Sequence, residues 1–186
     1  MERDYLHMVA EVSRRELVRI AAAGGGLMDE TDKIGALRDA GRVLDSLRAR
    51  WALIGGVAVG IRSGVPRATL DTDLAVASEV ERDAVVRALT VAGFSLRGEF
   101  AHSVNFRHAS GEPVQIVFDP QFDPMIERAE EIRFGDVAIR VVTTSDLIEM
   151  KDRAAADPAR RRSKALRDAA DAALLRGDVP DPDEGW

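Results

Sequence analysis

The sequence predicts an α+β fold: a short mixed β-sheet flanked by helices, with C-terminal helices closing one side of a cleft. Three observations predict it. Stretches with apolar residues at helical spacing lie at both ends of the chain and between the strands, whereas short β-branched runs fill the middle. A short apolar strand ending at Leu53-Ile54 stops at Gly55-Gly56 and leads through a helical turn into a second strand. Further on, Gly135-Asp136 separates two alternating runs in the manner of a β-hairpin. These elements divide the chain into an N-terminal helical segment (1–49), a core (50–142), C-terminal helices (143–177) and a disordered tail (178–186).

Taken in order, residues 4–22 have helical spacing through Leu6, Val9, Val12, Leu17 and Ile20, and Gly24-Gly25-Gly26 ends them. A second helix follows Thr31, with Ile34, Leu37, Val43, Leu44 and Leu47 on its buried side. Both read as scaffold packed on the sheet; the other reading of residues 1–26 is a regulatory or dimer-forming arm hinged at the glycines. Val57 to Ile61 begins the helix after Gly55-Gly56, and the next strand sends Leu70, Leu74 and Val76 to the core. Glu79 to Ala92 reads as a helix with Val80, Val85, Val86, Leu89 and Val91 as its apolar positions and Gly93 as its stop. Strands are expected at Ser95–Phe100, Ser103–His108 and Pro113–Asp119, then at Glu131–Phe134 and Val137–Val142. Thr143, with Asp146 three residues on, caps a helix running to about Ala155. Asp157-Pro158 opens the last helix, with Asp as cap and Pro in the first turn, and Gly177 ends it. The tail holds two prolines and four acids and lacks the apolar content to fold.

With 186 residues, 46% hydrophobic and 31% charged, the chain is an ordinary globule large enough for one core. No apolar run approaches the roughly 20 residues that span a bilayer, and Met1-Glu2-Arg3-Asp4 lacks the layout of a signal peptide. The absence of cysteine excludes disulfides and thiolate metal sites, and a cytoplasmic location is expected. A net charge of −6 argues against a surface coated for nucleic acid but leaves room for a local basic groove. No Gly-x-x-x-x-Gly-Lys-Ser/Thr loop and no Gly-x-Ser-x-Gly elbow is present, which removes P-loop and hydrolase chemistry.

The chemistry concentrates between Leu53 and Asp73. Asp71 and Asp73 stand at i and i+2 on a strand, so their carboxylates share a face and repel unless a cation lies between them. Mg²⁺ resolves that conflict, because one or two carboxylates plus substrate phosphates are its usual hard-oxygen ligands. Gly55 and Gly56 lack Cβ, so a phosphate can approach the backbone and the amides of the following helix. Either feature alone is common in turns and solvated strand ends. Together with Arg67 and Thr69 they form a much narrower pattern, read as a catalytic site.

Gly55-Gly56 followed by Arg67, Thr69, Asp71 and Asp73 resembles the signature of the DNA polymerase β-type nucleotidyltransferase superfamily, and in particular its small AbiEii-like toxins and their relatives. The resemblance covers residues 50 to 176, and only this motif is specific. It implies a nucleotidyltransferase fold and a Mg²⁺-dependent enzyme that moves a nucleoside monophosphate from a nucleoside triphosphate to RNA, protein or a small molecule. It also implies a toxin with a cognate antitoxin; an antibiotic nucleotidyltransferase and a degenerate, antitoxin-like binding protein are the alternatives.

Relatives usually bring a third carboxylate on the strand following the acid pair's hairpin, where this chain has Gln115. Asp119 shares a face with Gln115 and either reaches the metal or merely begins a turn with Pro120. By position, Lys151 resembles the family's triphosphate-binding lysine and Asp168 its later essential acid. The plain alternative for both is a solvated i,i+4 pairing, with Lys164, Asp168 and Asp171 on one helix face and Leu166, Ala169, Ala170 and Ala173 on the other. The basic run Arg160 to Lys164 either binds phosphate or is a solvated first turn. His7, His102 and His108 are scattered and read as surface or packing residues.

Overall fold

The computed structural model describes residues 33–65, 69–134 and 137–178. The expected helix over residues 4–22, the hinge at Gly24 to Gly26, Arg67, the turn at Gly135-Asp136 and the tail past Asp178 lie outside the described residues. Helix α1 (Lys33–Ser46) leads into strand β1 (Trp51–Ile54), helix α2 (Gly55–Ser63) and strand β2 (Thr72–Val76). Helix α3 (Arg82–Val91) precedes three strands: β3 (Ser95–Phe100), β4 (Ser103–Arg107) and β5 (Pro113–Val117). A 3₁₀ turn (Pro120–Phe122) and α4 (Asp123–Arg128) follow, then β6 (Glu130–Phe134), β7 (Val137–Val141), α5 (Thr144–Ala156) and α6 (Arg162–Leu175).

The seven strands form one mixed sheet in the order β3-β4-β5-β2-β1-β7-β6. The β1–β7 and β2–β5 pairs are parallel and the remainder antiparallel. This is the expected α+β architecture, a mixed sheet flanked by helices.

Alternation along the central strands separates two faces. Helix α1 buries Ala36, Leu37, Ala40, Gly41 and Leu44, a stripe at helical spacing. It needs a glycine where it crosses β1, since a Cβ at Gly41 would come within 2.9 Å of Trp51 Cζ2. Trp51 Nε1 in turn donates to Asp45 Oδ1 at 2.8 Å. On this face α1 also meets α3, which buries Val85 and Leu89. On the opposite face α2 contacts β1 and β2 and supports α5 and α6. Those helices cover the β1–β2 side, while Ser103, Asn105, Gln115 and Val117 on the same face of β4 and β5 are only half-buried. The uncovered strip is where a cavity opens.

Several boundaries differ from the sequence expectation. Helix α2 begins at Gly55 itself rather than at Val57, because Gly55 turns the chain at φ +72° directly out of β1. Leu47 is exposed, since the helix ends at Ser46 and the chain turns through Arg48 at φ +54°. Leu70 is 47% exposed, because the ladder begins only at Thr72. Val91 is exposed at the end of α3. Thr143 does cap α5: it accepts from Asp146 N–H at 3.2 Å and donates to Asp146 Oδ2 at 2.7 Å. Asp157 does not cap α6. Its Oδ1 accepts from Ala159 N–H at 2.8 Å and its carbonyl from Arg160 N–H at 3.1 Å, closing a separate turn before α6 starts at Arg162. Among the described residues no helix is long and apolar enough to cross a membrane.

Candidate active site

Strand register sets one row of side chains across the sheet. Ile54 of β1 pairs with Asp73 of β2, Asp73 with Gln115 of β5, and Gln115 with Asn105 of β4. The position one strand over from Asp73, where the sequence resemblance implies a further acid, is therefore Gln115. Its Nε2 donates to Asn105 Oδ1 at 3.0 Å, so an uncharged amide pair continues the row.

Gly55 closes the other side of Asp73. A Cβ at Gly55 would lie 2.0 Å from Asp73 Oδ2, and the backbone there has φ +72°. Only glycine allows both the left-handed turn and the close approach of the carboxylate. Gly55→Ala is expected to cost about 1–2 kcal/mol from the positive φ alone. It should also push the Asp73 carboxylate aside, and a urea melt measures the combined loss of stability.

The row opens into a cavity of about 540 Å³, within the usual range for small-ligand sites. Of the residues singled out by sequence, Gly55, Asp73, Gln115, Asp119, Lys151 and Asp168 line it. Asp71 does not: it is exposed and precedes the first ladder residue. Thr69 Oγ1 donates to the Asp71 carbonyl at 3.3 Å, so it secures the entry to β2. Gly56 is buried in the first turn of α2. Asp119 lines the cavity and also begins a turn, with Oδ1 accepting from Gln121 N–H at 3.0 Å and Oδ2 from Gln121 Nε2 at 2.7 Å. His102, Ser103, Gln121, Arg153, Asp157 and Arg160 complete the polar lining. Sequence reasoning passed over Ser103, Asn105 and Arg153; alternation groups Ser103 with Asn105, but nothing local says which face they join.

The wall opposite the sheet is an ion-pair network. Lys151 Nζ lies 2.8 Å from Asp168 Oδ1 and 2.8 Å from Asp171 Oδ2, and Arg160 Nε is 2.5 Å from Asp168 Oδ2. Lys151 is 7% exposed, and both acids are buried. This reverses the solvated-pair reading of α6. The helix turns Asp168, Asp171, Ala172 and Leu175 inward and leaves Leu166 62% exposed, because the buried Lys151 of α5 needs carboxylates facing it.

Burial pushes the Asp168 carboxyl up, but hydrogen bonds and charge from Lys151 and then Arg160 outweigh it and hold the group below the ordinary carboxylate range. The folded pKa is thus the lower one, so the stabilisation is complete above the unfolded value of about 4 and is lost as pH falls through the folded value. Melting temperature followed from pH 6 to pH 2 should fall more steeply for the wild type than for Asp168→Asn.

Asp73 and the Gln115 side-chain carbonyl offer hard oxygen donors beside a backbone bend too tight for a Cβ, chemistry that suits a hard divalent cation, whereas Asp71 lies outside this lining. Among the described residues no group of three or more His, Cys, Asp or Glu stands close enough together to hold a metal ion by itself.

Residues 36–184 match the family described as "Nucleotidyl transferase AbiEii toxin, Type IV TA system". Among solved structures, the chain is similar to the lincosamide antibiotic adenylyltransferase LnuA bound to lincomycin, with TM-score 0.53 and 13% identity over 74% of this chain and 92% of that one. It is also similar to an antigenic nucleotidyltransferase-like protein from Paracoccidioides brasiliensis, with TM-score 0.54 and 22% identity over 81% of this chain and 78% of that one. At such identities these two likenesses are of fold. A comparison with curated proteins finds no match.

Proposed function

The chain belongs to the AbiEii family of nucleotidyl transferases, and from that premise we propose that Asp71 and Asp73 hold a Mg²⁺-bound nucleoside triphosphate against Gly55–Gly56 for transfer of its nucleoside monophosphate. The observation that carries this reading is the close approach of Gly55 and Asp73 in the lining of the 540 Å³ cavity. It joins a carboxylate, a bare backbone bend and the N-terminus of α2, whose amides favour an anion.

In this reading the acceptor hydroxyl loses its proton to solvent and its oxygen forms a bond to the α-phosphorus as the bond to pyrophosphate breaks. Mg²⁺, when bound, supplies positive charge to the phosphate oxygens. The chain's own groups orient and screen. Asp73 fixes the ion side of the triphosphate, and Asp71 approaches from the solvent edge. Gln115, held by Asn105, keeps a neutral carbonyl beside Asp73, consistent with a single tightly held ion. Arg160 and Lys151, held in place by Asp168 and Asp171, form the polar wall facing the triphosphate, and Arg67 offsets the charge of the leaving pyrophosphate. Asp119, which also lines the cavity, is a further candidate ligand for the ion.

The proposed physiological role is that of a toxin restrained by a cognate antitoxin, a reading supported by the family description. The test incubates the full chain and Mg²⁺ with each of the four α-labelled nucleoside triphosphates and with total RNA, protein or a small-molecule extract. Label in one of these pools, dependent on Mg²⁺, is the expected result; label in none would overturn the reading. Expression in a bacterial host separates roles: a toxin arrests growth, whereas an antibiotic nucleotidyltransferase confers resistance.

A further inference from the structure

Behind the acid pair lies a buried charge cluster that the proposed reaction does not use. Glu112, immediately before β5, is 0% exposed. Its Oε1 takes a short contact from Lys33 Nζ and accepts a hydrogen bond from Thr72 Oγ1 at 3.2 Å. Its Oε2 has no hydrogen-bond partner among the described residues. Lys33, the first residue of α1, is buried, and Thr72 is 0% exposed. Isolating charges in this way is a poor route to stability, since apolar side chains of similar volume serve as well or better.

The position of the cluster gives it another use. Thr72 stands between Asp71 and Asp73, and alternation sends its side chain to the opposite face of the sheet. It is also the first ladder residue of β2, paired with Val114, whereas β1 joins only from Asp73. Asp71 has no ladder partner. The direction of both carboxylates therefore depends on Thr72 staying pointed inward, and a rotation or slip there would turn Asp73 out of the cavity lining and displace Asp71 beside it. A second tie holds the same helix to the β4–β5 turn: His108 Nε2 lies 3.3 Å from Asp39 Oδ2, and the His108 ring packs on Phe94 at 5.0 Å.

We infer that Glu112 is a positioning residue: clamped by Lys33, it pins Thr72 and so aims Asp71 and Asp73, making cation binding at the acid pair depend on the seating of the first turn of α1. This rests on the reading that the acid pair holds a divalent cation. The probe is Mn²⁺ alone, titrated into the full chain without nucleotide and followed by electron paramagnetic resonance, with melting temperature measured in parallel. Thr72→Val keeps the shape and removes the hydroxyl; it should weaken Mn²⁺ binding about tenfold while the fold melts within a few degrees of wild type. Thr72→Ser restores the hydroxyl and should bind within about twofold of wild type. Glu112→Gln should weaken binding in the same direction, and Lys33→Met/Glu112→Gln should do so too while removing the unpaired lysine.

Wild-type Mn²⁺ affinity in folded Thr72→Val would overturn the inference, as would equal loss in Thr72→Val and Thr72→Ser, which marks simple packing. Asp73→Asn separates this failure from that of the underlying reading: undiminished Mn²⁺ binding in Asp73→Asn removes the cation site itself. If Glu112→Gln does not fold, the two Thr72 variants decide.

Discussion

Asp73→Asn is expected to lower nucleotidyl transfer by about a thousandfold while leaving the fold intact, because it removes one charge without changing shape. Asp73 is the acid that the structure sets both against the Gly55 bend and inside the cavity, in register with Gln115. Since Gln115 is neutral, no neighbouring carboxylate in the row can take over its charge. Asp71, outside the cavity lining, should be the less sensitive of the two acids. The measurement is incorporation of α-labelled nucleotide by wild type, Asp73→Asn and Asp71→Asn at matched concentration, with circular dichroism melts as the fold control. Full activity in Asp73→Asn would remove the acid pair from the mechanism.

The largest effect on stability is expected at Lys151. Lys151→Met leaves Asp168 and Asp171 buried without the ammonium that both now touch at 2.8 Å. Breaking a buried pair by deleting one partner typically costs about 3–5 kcal/mol, here a fall of about 10 °C in melting temperature. Adding Asp171→Asn should recover much of that loss, since Arg160 still compensates Asp168. The deficit should also shrink as pH falls and the carboxylates protonate. A Lys151→Met protein melting within 3 °C of wild type would mean that the network contributes little. Activity should fall with stability in this variant, because the same residues form the cavity wall.

The two helices that carry this network illustrate where a one-dimensional reading stops. The spacing of Leu166, Ala169, Ala170 and Ala173 marks one face of α6 as apolar, and the ordinary inference buries that face. The opposite face is inside because Lys151, seventeen residues earlier on another helix, is buried and demands anions. Neither helix carries that information alone. Cap chemistry shows the same limit on a smaller scale. Thr143 and Asp146 act within one turn and are readable from sequence, whereas Asp157-Pro158 has the composition of a cap but folds as a separate turn.

Local rules were enough to determine the seven strands of the described residues, the mixed α+β class and the glycine bend, because turn chemistry and periodicity act over a few residues. The resemblance that led to the family rests on that same short stretch. Tertiary structure alone decided which acid enters the cavity, that Gln115 is the neighbour of Asp73, and that Glu112 and Lys33 meet behind them across 79 positions of sequence. The physical reason is register: which residues face one another across parallel strands and packed helices depends on how distant segments bury their apolar surfaces together.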